Sequence, residues 1–187
     1  MIITEADILN AKILIVDDQA DNITLLEQLL EQAGYSSVSA TLNPEEVCEL
    51  HGNNRYDLIL LDLQMPVMDG FQVLEKLKSN GADDYLPVLV LTAQQEHKLR
   101  ALQSGAKDFI SKPFDFIEVK TRIRNILEVR LLYRKNMDFG LKLQDAHDEL
   151  ETIVHERTFA LTKANMQLTE EVAERKRAEE SLKESYD

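Results

Sequence analysis

Several polar residues stand at the ends of short apolar runs and are of types that could do chemistry together. Asp17-Asp18 follows KILIV, Asp62 follows LILL, Thr92 follows PVLVL, and Lys112 comes two residues after Ile110. Carboxylates held close together repel one another and favour a hard divalent cation such as Mg²⁺. An ionised aspartate is also a nucleophile that can form an aspartyl phosphate. A hydroxyl and an ammonium group could then bind the phosphoryl oxygens, so the set is suited to accepting a phosphoryl group.

Other uses of Asp62 are less consistent with its surroundings. The sequence has no glycine-rich loop of the P-loop or kinase type, so we expect no nucleotide site. A phosphatase of the haloacid dehalogenase type would need a second acid two residues after the nucleophile, where this chain has Gln64. The remaining alternative is that Asp62 only caps the turn that Met65-Pro66 and Asp69-Gly70 introduce.

The apolar runs alternate with segments of helical periodicity, and this βα order is repeated five times. Such alternation predicts an α/β fold, in which a parallel sheet has helices on both faces and the polar strand ends share one edge. The predicted strands are Lys12–Val16, Ser37–Ala40, Leu58–Leu61, Pro87–Leu91 and Lys107–Ile110. The predicted helices are Asp21–Ala33, Pro44–Leu50 (closed by Gly52-Asn53-Asn54), Gly70–Ser79, Gln94–Ser104 and an amphipathic segment, Glu118–Leu132.

Composition restricts the class of protein further. Hydrophobic residues make up 44% and charged residues 29% of the 187, as in globular proteins. The net charge of −13 argues against a general nucleic-acid surface. No apolar run approaches the roughly 20 residues that span a bilayer, and Met1–Asn10 lacks the pattern of a secretory signal. Cys48 is the single cysteine, so no intrachain disulfide can form. Together these features lead us to expect no membrane insertion and a cytoplasmic setting.

The motifs resemble those of a known family. Asp17-Asp18, Asp62 followed by LQMPVMDG, Thr92-Ala93 and Lys112-Pro113 are similar in order and spacing to the receiver domain of bacterial two-component response regulators. The resemblance covers about residues 11–127. It implies the flavodoxin-like receiver fold, a doubly wound, five-stranded parallel sheet with strand order 2-1-3-4-5.

The resemblance also implies a role for each motif in the transfer. Asp62 would be the phosphoacceptor, and a sensor histidine kinase or phosphotransfer protein would be the donor. Mg²⁺ would be bound by Asp18, Asp62 and the backbone carbonyl of Gln64, with Asp17 acting largely through water. A receiver of this kind catalyses only its own phosphorylation and dephosphorylation, so we do not expect an enzyme with a separate substrate.

The remaining motif positions concern the response to phosphorylation. Thr92 and Lys112 would contact the phosphoryl group. Phe109 occupies the family's aromatic switch position, which is often tyrosine, and the bond between Lys112 and Pro113 is expected to be cis, as is usual in the family.

The C-terminal part of the sequence favours a long helix that pairs with a second copy. From Phe114 to Asp187 there is no proline and one glycine, Gly140. Apolar residues recur at alternating steps of three and four, which is the pattern of a coiled coil, and the step of four that follows Leu150 is a stutter. The seam consists of Phe139, Leu143, Ala146, Leu150, Val154, Arg157, Leu161, Ala164, Leu168, Glu171, Arg175, Ala178 and Leu182.

These observations combine into one hypothesis. Residues 1–10 form an N-terminal leader, residues 11–127 a receiver domain, and residues 128–187 a coiled-coil linker that makes a homodimer. Phosphorylation would be relayed through the fifth predicted helix into the coiled coil. Glu156-Arg157-Thr158 and residues 174–180 resemble signalling linkers that precede sensor, diguanylate cyclase or kinase modules. The alternatives are a docking and dimerisation scaffold that is never phosphorylated and, for the segment after Val172, a solvated, frayed tail.

Overall fold

A computed structural model of the chain describes residues 2–79, 85–94 and 96–184, without the side chains of 96–98 and 180–184. Residue 95 of the predicted fourth helix and residues 185–187 of the predicted coiled coil lie outside the described residues. The strands are β1 (Ile13–Val16), β2 (Val38–Thr41), β3 (Leu58–Asp62), β4 (Val88–Thr92) and β5 (Asp108–Ser111). The helices are α1 (Glu5–Leu9), α2 (Ala20–Ala33), α3 (Val47–Asn54, preceded by a 3₁₀ turn at Pro44–Glu46), α4 (Gly70–Ser79), α5 (Glu96–Gln103) and α6 (Phe116–Glu184).

The five strands form one parallel sheet in the order β2-β1-β3-β4-β5, which confirms the predicted fold. The residues of β1, β3 and β4 are all buried, because helices cover both faces of these strands. On one face, Ile13 and Leu58 belong to a core cluster with side chains of α1, α2 and α6. On the other face, Leu14 and Ile59 belong to a cluster with side chains of α3, α4 and α5. Continuous apolar strands of this kind are typical of parallel sheets with two covered faces.

Helix α1 lies within the segment that the sequence analysis treated as a leader. Thr4 caps it in a capping box, in which the Asp7 N–H donates to Thr4 Oγ1 at 3.2 Å and the Thr4 N–H donates to Asp7 Oδ2 at 2.9 Å. Ile8 is 5% exposed and joins the core cluster that α2 and α6 cover. The first ten residues therefore contribute a helix to the folded unit.

Helix α3 extends past Leu50, where it was expected to end, and includes the segment Gly52-Asn53-Asn54 that was expected to close it. The helix ends at Asn54, and Arg55 adopts the left-handed conformation (φ 55°) and donates its N–H to the His51 carbonyl at 2.8 Å. Glycine permits a helix to end without requiring it. A non-glycine residue here makes the left-handed turn that ends the helix.

Helix α6 corresponds to the fifth predicted helix and continues without a break through Gly140 to Glu184. The chain divides into two compact units, Met1–Asn136 and residues 137–187, so α6 contributes residues to each. In the second unit the seam residues that the structure describes are exposed, for example Leu161 at 63% and Leu168 at 61%.

Among the described residues, no helix is long and apolar enough to span a membrane.

Candidate functional site

The register of the sheet brings the polar strand ends together. Val16 of β1 pairs with Leu61 of β3, so the next residues along each strand, Asp17 and Asp62, emerge side by side at the carboxyl edge. On the other side of β3, the carboxyl ends of β4 and β5 lie side by side. The N–H of Lys112, which follows β5, donates to the carbonyl of Thr92, the last residue of β4, at 2.9 Å. The residues singled out by their positions after strands thus meet at one edge.

Three carboxylates form the centre of this edge. One oxygen from each of Asp17, Asp18 and Asp62 lies within 4.8 Å of the others. Asp17 and Asp62 are 0% and 3% exposed, and Asp18 Oδ1 is buried without a hydrogen-bond partner among the described residues. An oxygen-only donor set with an unsatisfied buried carboxylate oxygen fits a hard divalent cation, which would supply the missing positive charge.

Lys112 supplies positive charge to the same cluster. Its Nζ lies 2.8 Å from Asp17 Oδ2 and 3.2 Å from Asp62 Oδ1, and its side chain is 19% exposed. Burial raises the pKa of Asp62 above its ordinary value, the Lys112 ammonium opposes this rise, and the Asp17 charge adds to it. The three carboxylates therefore carry more negative charge than Lys112 balances.

The remaining predicted site residues lie on or just after β3, β4 and β5. Thr92 is 1% exposed, and its Oγ1 accepts the Gln94 N–H at 3.1 Å. Gln64 is exposed two residues after Asp62, and Phe109 is half-buried on β5. The peptide bond between Lys112 and Pro113 is cis.

The loop from β3 to α4 is shaped by two unusual residues. A Cβ on Gly70 would lie 2.5 Å from the carbonyl oxygen of Asp62, so only glycine lets the start of α4 approach the end of β3 this closely. Val67 is 92% exposed and has a φ of 71°, in the left-handed region that β-branched residues rarely adopt. The loop thus combines close packing at one end with backbone strain at its tip.

Sequence reasoning missed the residue that orients Asp17. The Nδ2 of Asn22, in the first turn of α2, donates to both carboxylate oxygens of Asp17 at 3.0 Å, and the Gln19 N–H donates to Oδ1 at 2.9 Å. An asparagine five residues after a candidate aspartate, at the start of a helix, was the available signal.

A further buried carboxylate, whose role could not be read from the sequence, lies at the amino edge of the sheet, just before β3. Asp57, 3% exposed, accepts the Lys12 N–H at 3.1 Å and forms an ion pair with Arg134 of α6. The Nε of Arg130, a residue that is itself 3% exposed, lies 3.8 Å from Asp57 Oδ1, and its NH1 donates to the Tyr85 carbonyl at 2.6 Å. These contacts fasten α6 to the starts of β3 and β4.

The fold and the edge geometry agree with a comparison to protein families. Residues 13–124, more than half of the chain, match the family model of the response regulator receiver domain. This chain belongs to that family. The resemblance expected from the motifs is therefore confirmed, and the chain contains a receiver domain of two-component signalling.

Individual receiver proteins are similar over the same part of the chain. The response regulator PleD of Caulobacter vibrioides is 36% identical over 126 residues, which are 66% of this chain and 28% of PleD. The alkaline phosphatase synthesis transcriptional regulatory protein PhoP of Bacillus subtilis is 38% identical over 121 residues, 64% of this chain and 49% of PhoP. This chain therefore spans half or less of the length of these relatives.

Solved structures show the same fold. The receiver domain of a sensor histidine kinase from Pseudomonas aeruginosa, with a magnesium ion coordinated in its active-site cleft, has a TM-score of 0.58 and 28% identity, covering 63% of this chain and 98% of that one. A response regulator from Chloroflexus aurantiacus has a TM-score of 0.60 and 32% identity, covering 63% of this chain and 98% of that one.

Proposed function

We propose that this receiver accepts a phosphoryl group on Asp62 from a histidine kinase or phosphotransfer protein, in a Mg²⁺-dependent reaction in the cytoplasm. The observation that carries the proposal is the position of Lys112 Nζ, within 3.2 Å of Asp62 Oδ1 at an edge where Asp17, Asp18 and Thr92 also lie. A nucleophile, a candidate cation site, a hydroxyl and an ammonium group are the parts that phosphoryl transfer needs.

The chemistry follows from the charges at this edge. A carboxylate oxygen of Asp62 attacks the phosphorus of a phosphohistidine, a P–O bond forms, and the P–N bond breaks with its electron pair going to the imidazole, which takes up a proton. The Lys112 ammonium pairs with one phosphoryl oxygen, and the Thr92 hydroxyl donates to another. Because the lysine already lies beside the acceptor oxygen, little reorganisation is needed before transfer.

The carboxylates of Asp18 and Asp62 and the backbone carbonyl of Gln64 would hold Mg²⁺, with Asp17 acting largely through water. When bound, the ion neutralises charge that develops on the phosphoryl oxygens. Asn22 contributes by keeping the Asp17 carboxylate oriented through its two hydrogen bonds. The neighbour from Pseudomonas aeruginosa, whose cleft contains magnesium, supports this assignment.

We further propose that the state of Asp62 is relayed through α6 into a homodimeric coiled coil formed by the C-terminal part of that helix, from about residue 128. Phosphorylation would draw Thr92 towards the phosphoryl group and reposition Phe109, next to the first turns of α6. The exposed apolar seam of the second unit supports the dimer, because a helix with an unburied apolar stripe gains stability by pairing.

Phosphotransfer to the purified chain tests the central claim. The chain is incubated with acetyl phosphate and Mg²⁺, and intact mass reports the addition of one phosphoryl group. We expect labelling of the wild type, none of Asp62→Asn, and normal labelling of the matched control Asp69→Asn, an aspartate of the same loop that accepts the Gln72 N–H. Label retained in Asp62→Asn would end the assignment, and no Mg²⁺-dependent response at all would favour the docking scaffold instead.

A further inference from the structure

Arg122 of α6 lies against the ring of Phe109. The guanidinium carbon of Arg122 is 5.6 Å from the ring centroid, within the range of a cation–π contact. Phe109 is half-buried, and its side chain packs against the core cluster that α3, α4 and α5 cover. One charged side chain of α6 thus contacts the proposed switch residue directly.

Two carboxylates hold the guanidinium in this position. NH1 of Arg122 lies 2.6 Å from Asp108 Oδ2, and Nε lies 2.8 Å from Glu118 Oε1, one helical turn earlier on α6. The other oxygen of Asp108 accepts the Phe109 N–H at 2.9 Å, so one carboxylate fixes both the arginine and the backbone of the ring residue. The hydrogen bond and charge of Asp108 raise the pKa of Arg122 above its ordinary value. Because the arginine side chain is only 32% exposed and bound on two sides, the ring contact forms from a prearranged cation.

We propose that Arg122 is a positioning residue that stabilises the resting orientation of Phe109 and thereby opposes phosphorylation of Asp62. The inference rests on the proposed function, in which phosphorylation moves the ring. A ring that moves away loses its contact with the guanidinium, while the ion pairs of Arg122 with Asp108 and Glu118 remain. The contact is made only in the resting state, so it lowers the apparent affinity of the site for the phosphoryl group. Because the coupling is reciprocal, phosphorylation weakens the contact by the same factor.

The contact between Phe109 and Arg122 joins β5 to the first turns of α6. Asp108 and Phe109 belong to β5, whereas Glu118 and Arg122 belong to the first turns of α6. Movement of the ring would therefore change the environment of a residue on α6, whereas Val119 and Ile123, which anchor this helix, belong to the core cluster on the other face of the sheet.

Beryllofluoride, a phosphoryl mimic, measures the effect on the full-length chain. With Mg²⁺ present, beryllofluoride is titrated into wild type, Arg122→Ala, Arg122→Lys and the control Arg124→Ala, and aromatic ¹H–¹³C spectra report the Phe109 ring. Arg124 is a suitable control because it is 47% exposed and pairs with Glu5 instead. We expect Arg122→Ala to bind beryllofluoride roughly two- to fivefold more tightly, as loss of an exposed cation–π contact implies. Its ring resonance should already be shifted towards the bound position before the mimic is added, with Arg122→Lys between the two and Arg124→Ala like the wild type.

The same comparison in a Phe109→Leu background separates the ring from the charge. If Arg122 acts through the aromatic face, Arg122→Ala should change the affinity of this variant by less than its effect in the wild type. An unchanged or weaker affinity of Arg122→Ala, or an equal gain in the Phe109→Leu background, overturns the inference while leaving the proposed function intact. A wild-type chain that does not respond to beryllofluoride overturns both.

Discussion

The ammonium group of Lys112 lies 3.2 Å from Oδ1 of Asp62, although β4 separates their strands in the sheet. The long side chain extends across the carboxyl end of β4 from a position just after β5. At rest it therefore occupies part of the charge environment that a divalent cation would use. A divalent cation at this edge would therefore compete with Lys112 for the carboxylates of Asp17 and Asp62.

Removing this lysine should tighten Mg²⁺ binding while abolishing the response to beryllofluoride. We expect Lys112→Met to bind Mg²⁺ roughly tenfold more tightly, a change of about 1.4 kcal/mol. This change is a fraction of the interaction energy of two unit charges 4 Å apart near a protein surface, which is ~4 kcal/mol. Calorimetric titration measures it, with Lys107→Met as the control, because Lys107 lies before β5 and contacts the Tyr85 ring. Equal Mg²⁺ affinities of the two variants would contradict the competition.

The ion pairs at the opposite edge should matter for stability rather than for phosphorylation. Asp57→Asn removes the buried carboxylate that pairs with Arg130 and Arg134, and breaking a buried pair costs about 3–5 kcal/mol. Urea unfolding should show a loss near the lower end of that range, because the asparagine oxygen can still accept the Lys12 N–H. Arg124→Ala breaks an exposed pair with Glu5 and should cost less than about 1 kcal/mol. Similar losses in the two variants would mean that burial does not decide the energetics here.

Because the backbone is strained at Val67, glycine should be more stabilising than alanine at this position, the reverse of the usual order. At a φ of 71° a side chain with a Cβ costs about 1–2 kcal/mol relative to glycine. Val67→Gly should therefore be more stable than Val67→Ala, by roughly 1 kcal/mol. Gly52, inside α3 with open space around its Cα, is the control: Gly52→Ala should raise the free energy of unfolding. If Val67→Ala is the more stable of the pair, the loop adopts a different backbone conformation in solution.

Asp7 provides a pH-dependent signature of the contact between α1 and α6. Hydrogen bonds from the Thr4 backbone and from Lys135 lower its pKa from 3.8 to about 2. A carboxyl with a depressed folded-state pKa stabilises the fold above its unfolded pKa, and this stabilisation is lost as pH falls through the folded value. The contribution should thus be complete above about pH 4 and disappear towards pH 2.

An NMR titration of the Asp7 carboxyl carbon checks this value directly. Lys135→Ala should raise the pKa of Asp7 partway towards its ordinary value, because the Thr4 hydrogen bonds remain. Lys120→Ala, another lysine of α6, should leave it unchanged. An Asp7 pKa that does not respond to Lys135→Ala would show that the two residues are apart in solution.

The seam of the C-terminal helix can be tested by two neighbouring substitutions. Leu161 belongs to the seam and is 63% exposed, whereas Phe159 lies outside it and is 70% exposed. Leu161→Asp should shift the chain towards monomer in sedimentation equilibrium, since it places a charge in the core of the pair. Phe159→Asp should have the same association state as the wild type, and a monomeric wild type would contradict the proposed pairing. If both variants dissociate, apolar surface in general rather than this seam holds the copies together.

Features with a periodic or local cause could be predicted from the sequence. Apolar runs such as Leu58–Leu61 identified the strands, and the parallel order followed from the alternation with helices and from the family resemblance. The grouping of Asp17, Asp18 and Asp62 required no side-chain detail, because residues that follow parallel strands share an edge by construction.

Features that depend on distant pairing could not be predicted in the same way. The partners of Asp57 are Arg130 and Arg134, separated from it by more than seventy residues of sequence, and periodicity carries no information about which arginine meets which carboxylate. Helix α1 has a single turn, too short to display an apolar period, and only its capping box at Thr4 and Asp7 was readable. The cation–π contact of Arg122 depends on the rotamers of two side chains, which a sequence pattern does not specify.

The attachments of α6 also define what can be exchanged between signalling proteins. The family match ends at residue 124, but the core includes Ile8, Ile126 and Leu127. Arg130, Arg134 and Lys135 bind Asp57 and Asp7 beyond that limit. A chimaera that contained only residues 13–124 would lack Arg130 and Arg134, so the buried Asp57 would lose both ion pairs. It would also lack α1, whose Ile8 packs in the core. The unit to transfer is therefore Met1–Asn136, and a graft joined within that range should be less stable than the intact unit.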